Sequence, residues 1–549
     1  MSSRRFFRAG PMSLALALVL TGCGGGGGGD DASTPAPASG NASAAGAAAA
    51  VPAASLTPGN TPAPASTQSV AITGTATFDF VPSASSGQLD YGSTVAKPIR
   101  GATVELLGAD GTVLVSGATD AAGAYSLPAP ASTQVQVRIR AQMVRNDTVR
   151  WDFTVRDNTA SEALYAIASP LFSSGAGPAL KRDVNAPSGW NGTSYATTRA
   201  AAPFALLDTV YSNATKVVAA APSVTFPALR VFWSPANVGA PGDPAKGQIG
   251  TTSFIDRGNG SRSIYVLGSA DVDTDEYDAS VVSHEWGHYY QSAFSRDDSP
   301  GGAHAATDRL DRRLAFSEGW GNAWSGIALG RSTYTDSVGP GQSIGYSLDL
   351  SASPASNRGW FREGSIQAIF WNLQQLTGFG PIHAAMTGPF KTGLQVTSIH
   401  PFAAAFATSA PSQAGTLASL LQRESISGAT NQPWGEGETN NGGIALALPL
   451  YQAADRPACV TDQAGTANNL GRFAYVRFTL ASAGSHRIRV VGPATTDPDI
   501  DVFQGGRIAG SYGGAAGVED AILNLPAGES VLVIYDANAT ASCFSVSIV

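Results

Sequence analysis

Two of the six histidines in this 549-residue chain, His284 and His288, stand four positions apart with Glu285 between them. No other feature restricts the local fold so tightly. On a helix, positions i and i+4 lie one turn apart on one face, so both imidazoles project side by side. Asp275, Glu276 and Asp278 precede the pair and suit a helix N-terminus, where the macrodipole favours negative charge. Val281 and Val282 offer apolar surface, and Tyr289 and Tyr290 follow. A helix is therefore expected over 278–294.

The chemistry follows from the spacing. Two imidazole nitrogens one turn apart can both reach a zinc ion at about 2.0–2.1 Å. Glu285, one position on, sits beside such a metal without binding it. There it can take a proton from a zinc-activated water and pass it to a leaving amine. Zinc needs a further protein ligand. A third histidine six residues beyond His288 is ruled out, because position 294 is Phe. Glu318, in Phe316-Ser317-Glu318-Gly319-Trp320-Gly321-Asn322, is the candidate.

That arrangement resembles the gluzincin zinc metalloproteases. The stretch around Glu318 is similar to the glutamate-ligand helix of fungalysins, G-E-G-W-S-D. The resemblance implies a zincin-like catalytic domain with His284, His288 and Glu318 as ligands and Glu285 as general base. Gly319 and Gly321 are expected to let the Glu318 helix, over 308–329, pack closely on the zinc helix, at a cost in helix propensity. Where those families carry an aspartate supporting a zinc-bound histidine, this chain has Asn322, which can accept an imidazole N–H without the charge. Gluzincins also use a Tyr or His donor to the oxyanion. Tyr334, Tyr346, His383 and His400 are all candidates, and the sequence does not choose among them. Glu363 opens a further helix, read over 365–376; it either faces the cleft or simply favours the helix start. The run Asp271 to Asp278 hints at calcium. It lacks the glycine and distal glutamate of an EF-hand loop, and a solvated approach to the helix is the simpler expectation.

The N-terminus reads as an export signal. Arg4, Arg5 and Arg8 precede a short apolar core from Met12 to Leu20, too short to span a membrane. Leu20-Thr21-Gly22-Cys23 resembles the lipobox of bacterial lipoproteins, which implies a lipid on Cys23. Ser3-Arg4-Arg5-Phe6-Phe7 is similar to a twin-arginine signal. Residues 24–68 are mostly Gly, Ala, Ser, Thr and Pro, a composition that cannot offset its ordering entropy, and read as a tether.

Beyond the tether the pattern has period two. Residues 71–78, 102–107 and 134–139 read as strands, and the segment Thr119 to Leu127 resembles the T-D-x-x-G-x-Y element of carboxypeptidase-regulatory-like sandwiches. Strands also read at 229–233 and 263–267. The last hundred residues return to strands, and Asp497-Pro498-Asp499-Ile500-Asp501-Val502-Phe503 resembles bacterial pre-peptidase C-terminal domains. Cys459 and Cys543 remain as an even pair, expected to form a disulfide in an oxidising compartment.

The expected architecture is multidomain: an α+β zincin-like catalytic domain flanked by two β-sandwich domains. The segments are a lipoprotein signal at 1–22, a linker at 23–68, a first sandwich at 69–175, the catalytic domain at 176–450 and a second sandwich at 451–549. The net charge of −8 and the absence of a basic stripe exclude a nucleic-acid partner. The expected function is a lipid-anchored, monomeric zinc endopeptidase of the bacterial cell envelope, held on the outer membrane and facing periplasm or exterior. Its partners are protein or peptide substrates and the membrane; its cofactor is zinc, with calcium as a second. No G-x-M-E-N aminopeptidase element is present, which favours internal cleavage. Two alternatives stay open: a surface adhesin with a vestigial metal helix, and a zinc hydrolase of non-peptide bonds.

Overall fold

The computed structural model describes residues 69–427, 432–439, 448–461, 469–514 and 516–549. The signal, Cys23 and the tether lie outside the described residues. The chain forms two compact units. Among the described residues, one comprises Ser69–Tyr289 together with Ala328–Leu348; the other comprises Tyr290–Ile327 and Asp349–Val549. The helices are α1 (Ala202–Ala220), α2 (Ala279–Phe294), α3 (Arg312–Leu329), α4 (Glu363–Thr377), α5 (Phe379–Thr387), α6 (Pro389–Thr392), α7 (Ile399–Ser409) and α8 (Ala414–Arg423). The division passes through α2 after Tyr289 and through α3 after Ile327.

The first unit holds four sheets. Ser69–Phe80 pairs with Val95–Pro98 and Ala124–Pro130, and in parallel with Ala179–Lys181 and Val184–Ala186. Its alternating burial matches the period-two sequence, with Val70, Ile72, Ala76 and Phe78 in the core. A second sheet orders Ala166–Ala168, Gln134–Arg140, Thr103–Gly108 and Val113–Ala118. A third is mixed. Arg150–Asp157, Leu229–Trp233 and Arg262–Val266 run parallel, and Ser253–Asp256 closes one edge antiparallel. Leu229–Trp233 and the end of Arg262–Val266 are buried apolar runs, as strands covered on both faces require, whereas Arg150–Asp157 alternates charged and apolar residues at its start. A boundary at residue 175 does not follow the sheets: Ser69–Phe80 recruits strands beyond it, and Arg150–Asp157 pairs with Leu229–Trp233. The fourth sheet joins Gly268–Ser269, Asp273–Thr274, Thr333–Val338 and Ile344–Asp349.

In the second unit, α3 to α8 precede two facing sheets. One orders Gln452–Ala453, Phe473–Leu480, Gly528–Asp536, Pro498–Phe503 and Arg507–Ser511; the other orders Ala458–Val460, Ser542–Ile548, Gly484–Val491 and Val518–Leu525. Their shared core contains Val476, Phe478, Ile488, Val490, Ile500, Val502, Leu532, Ile534 and Phe544. Cys459 and Cys543 are direct partners across two antiparallel strands and are disulfide-bonded. The first of these sheets is also covered on its other face. There Tyr475, Phe503, Val531 and Val533 pack with Val396, Leu394, Trp434 and Tyr451 from outside the sandwich. The whole is multidomain, mixing several sheets with helices in a way consistent with sandwich domains.

Candidate metal centre

The sequence reads α2 as amphipathic, but the fold buries it all round, from Ser280 through Gln291. A helix in that position carries polar side chains only where each finds a partner. Ser280 Oγ accepts from Arg331 Nη2 and from the Thr335 amide. Ser283 Oγ accepts from Asn213 Nδ2 at 2.9 Å. Gln291 accepts from Ser317 Oγ at 3.2 Å. Packing supplies the rest, with Trp286 against Tyr289 and Phe226.

His284 and His288 turn their Nε2 atoms toward each other, 3.1 Å apart. Two nitrogens bound to one tetrahedral zinc at 2.0–2.1 Å stand ~3.3 Å apart. The carboxylate of Glu318, on α3, completes the set: one ligand atom from each of His284, His288 and Glu318 lies within 4.8 Å of the others, and all three residues are buried. Two imidazole nitrogens and one carboxylate oxygen are a zinc-type donor set, and three protein ligands leave a fourth position for water or substrate. Glu285 Oε2 accepts from the main-chain N–H of Phe254 at 2.7 Å. Phe254 lies on the edge strand of the mixed sheet, where unpaired N–H groups are available.

His304 is a further member that the motif search passed over. Its Nε2 lies 3.0 Å from Glu363 Oε2 and 3.8 Å from Glu318 Oε2. Burial works against a charge on this imidazole, but the carboxylates of Glu318 and Glu363 outweigh it and hold its pKa up to about 10. The one available signal was scarcity: His304 is one of six histidines and falls between the two ligand helices. Glu363, read as either facing a cleft or starting a helix, lies buried in the first turn of α4 and pairs with His304.

The remaining candidates are placed as follows. The Tyr334 ring meets that of His284 edge-on, centroids 6.4 Å apart. Tyr346 is half-buried on Ile344–Asp349. His383 Nδ1 pairs with Tyr290 OH at 2.8 Å, and burial lowers its pKa. His400 Nε2 pairs with Glu438 Oε2 at 2.7 Å. Asn322 lies one turn beyond Glu318, half-buried, its carbonyl accepting from Ser325 Oγ.

Two expectations need correction. Gly319 serves α4 and not α2. A Cβ there would meet Ile366 Cβ at 2.5 Å and the Glu363 carbonyl oxygen at 2.7 Å, so the missing side chain lets α3 lie against the start of α4. The approach to α2 is also not solvated. Asp275, Glu276 and Asp278 are fully buried, because the sheet carrying Thr333–Val338 covers them. Glu276 is neutralised by the equally buried Arg199. Burial, with the neighbouring carboxylates, raises the carboxyl pKa of Asp273 to about 7 and drives Asp275 and Asp278 well upward; burial alone raises Asp336 to about 6.

No family model matches this chain, and no curated protein matches it. Among solved structures, it is similar to the pre-peptidase C-terminal domain of a collagenase from Bacillus anthracis. That match has 14% identity over 18% of this chain and 92% of the other, at a TM-score of 0.15. It is also similar to PliG of Aeromonas hydrophila, a periplasmic inhibitor of g-type lysozyme, at 19% identity over 14% of this chain and 78% of the other, TM-score 0.11. Scores this low carry no argument about fold or function.

Proposed function

We propose that this chain is a zinc metalloendopeptidase. The observation that carries the reading is the convergence of His284, His288 and Glu318 beside Glu285. His284 Nε2, His288 Nε2 and a Glu318 oxygen would hold the metal. When bound, zinc supplies a Lewis acid and a water acidified to near neutrality. Glu285 is the group that moves protons: its carboxylate accepts one from the attacking water and delivers it to the departing amine nitrogen. The Phe254 N–H fixes the orientation of that carboxylate. Burial of the four residues excludes bulk water and strengthens each of these interactions. Tyr334, whose ring contacts His284, is the favoured donor to the oxyanion.

The lipobox-like Leu20-Thr21-Gly22-Cys23 supports anchoring by lipid at Cys23, on the outer membrane of a bacterial envelope, with protein or peptide substrates. The test uses residues 69–549. Bound zinc and casein cleavage are measured for the wild type and for Glu285→Gln. One zinc in each, with cleavage by the wild type alone, is the expected result. Zinc in both with cleavage by neither, even after limited proteolysis, would overturn the reading in favour of a binding protein.

A further inference from the structure

Three carboxylates outside the zinc ligands form a second convergent group. Asp273 begins the short strand Asp273–Thr274, Asp275 follows that strand, and Asp336 comes from Thr333–Val338; their ligand oxygens lie within 4.8 Å of one another. A separate observation points the same way. Asp278, fully buried at the start of α2, has an Oδ1 without a hydrogen-bond partner, and the charges it feels most strongly are those of Asp336 and Asp273. Asp273 Oδ1 is likewise buried and unpartnered.

Hydroxyls donate to the other oxygens: Thr252 Oγ1 to Asp275 Oδ2, and Ser337 Oγ to Asp278 Oδ2 at 2.6 Å. Donors of this kind favour the ionised carboxylate. Yet among the described residues no Lys or Arg forms an ion pair with any of the four. Arg331, whose charge registers with Asp278, spends Nη2 on Ser280 and Thr335. Two fully buried carboxylates and two half-buried ones, with hydroxyl donors at Asp275 and Asp278 but no ion-paired Lys or Arg, lack a counter-charge.

We propose that Asp273, Asp275 and Asp336, with Asp278 beside them, bind a calcium ion. The donors are all oxygen, which selects a hard cation over zinc. Calcium bonds of 2.3–2.6 Å place opposite ligands up to about 5 Å apart, in keeping with the observed spread. Magnesium keeps most of its waters and is seldom held in a largely protein-made cage. The ion ties the strand at Asp273–Thr274, the strand at Thr333–Val338 and the first turn of α2 into one unit. It thereby fixes the base of the helix that carries His284, Glu285 and His288. This inference stands apart from the peptidase reading, because its readouts need neither zinc nor cleavage.

The experiment titrates the full chain with terbium chloride, and then with calcium chloride, in calcium-free buffer. Terbium luminescence sensitised through the protein's aromatic side chains should saturate at one ion, and calcium should displace it. Calcium should raise the melting temperature by several degrees. Asp336→Asn and Asp273→Asn should each abolish both effects and should unfold at a higher temperature than calcium-free wild type, because repulsion is relieved. Exposed Asp271→Asn should change nothing. Wild type without sensitised luminescence and without a calcium shift overturns the proposal and leaves protons as the counter-charge. Unchanged calcium affinity in folded Asp336→Asn and Asp273→Asn overturns it as well.

Discussion

The main-chain N–H of Phe254 donates to Glu285 Oε2 at 2.7 Å, so the edge of the mixed sheet sets the orientation of the carboxylate next to the two histidines. On the proposed reading, a general base held this way is rigid before substrate arrives. Glu285→Gln preserves shape and removes proton acceptance. It should lower kcat by about 10²–10⁴-fold with zinc content unchanged. Steady-state kinetics beside metal analysis checks this; loss of zinc in the variant would instead make Glu285 a ligand.

On the same reading, Glu318 is a ligand, and His304 and Glu363 support it. Glu318→Ala should leave the purified protein without stoichiometric zinc after dialysis. His304→Gln and Glu363→Gln act one step away and should weaken zinc by about 10–100-fold while keeping the fold. Competition with a chromogenic chelator separates the two classes.

His304 also predicts a pH dependence. Its folded pKa of about 10 lies above the ordinary histidine value near 6.5. The stabilisation it contributes is therefore complete below about pH 6.5 and is lost as pH rises through about 10. Melting of metal-free wild type should decline over that window, and His304→Gln should remove the decline. A gap between the two proteins that stays constant with pH would count against the ion pair.

The disulfide closes a segment with a sequence separation of 84. Replacing Cys459 and Cys543 together by Ser should cost roughly 2–4 kcal/mol, through the freedom returned to the unfolded chain. Chemical denaturation with and without reductant measures it, and an unchanged midpoint would show that the two sheets hold without the bond.

The start of α3 yields a fifth test. Asp311 caps it, accepting from the Arg313 amide and pairing with Arg313 Nε at 2.9 Å, and Tyr475 OH donates to its other oxygen. Arg312, buried, lies 4.0 Å from the centre of the Tyr475 ring. Tyr475→Phe keeps the ring and removes the hydroxyl, so it should cost about 1.5–3 kcal/mol, the range for a hydrogen bond to a charged group. A neutral result would mean that water replaces the hydroxyl.

Periodicity and spacing made much of this legible. The strands at 71–78, 134–139 and 229–233 and the helices carrying His284 and Glu318 are local patterns, and they appear where the residues alone put them. What stayed hidden depends on contacts distant in sequence. Gly319 reads as a small residue on a helix, and only the fold shows that Ile366 is the neighbour it admits. Asp275 and Asp278 look like a solvated acidic run because charge normally means surface; the strand at Thr333–Val338, about sixty residues on, encloses them. His304 has no motif around it, since its partners arrive from α3 and α4.

The C-terminal sandwich is usually imagined as a trailer that can be uncoupled. Here the sheet containing Phe473–Leu480 and Gly528–Asp536 has no free face, since Val396, Trp434 and Tyr451 cover the side that the sandwich core does not. Shortening the chain at residue 450 would strip the lid from a greasy wall and unseat the capped end of the glutamate helix in one stroke.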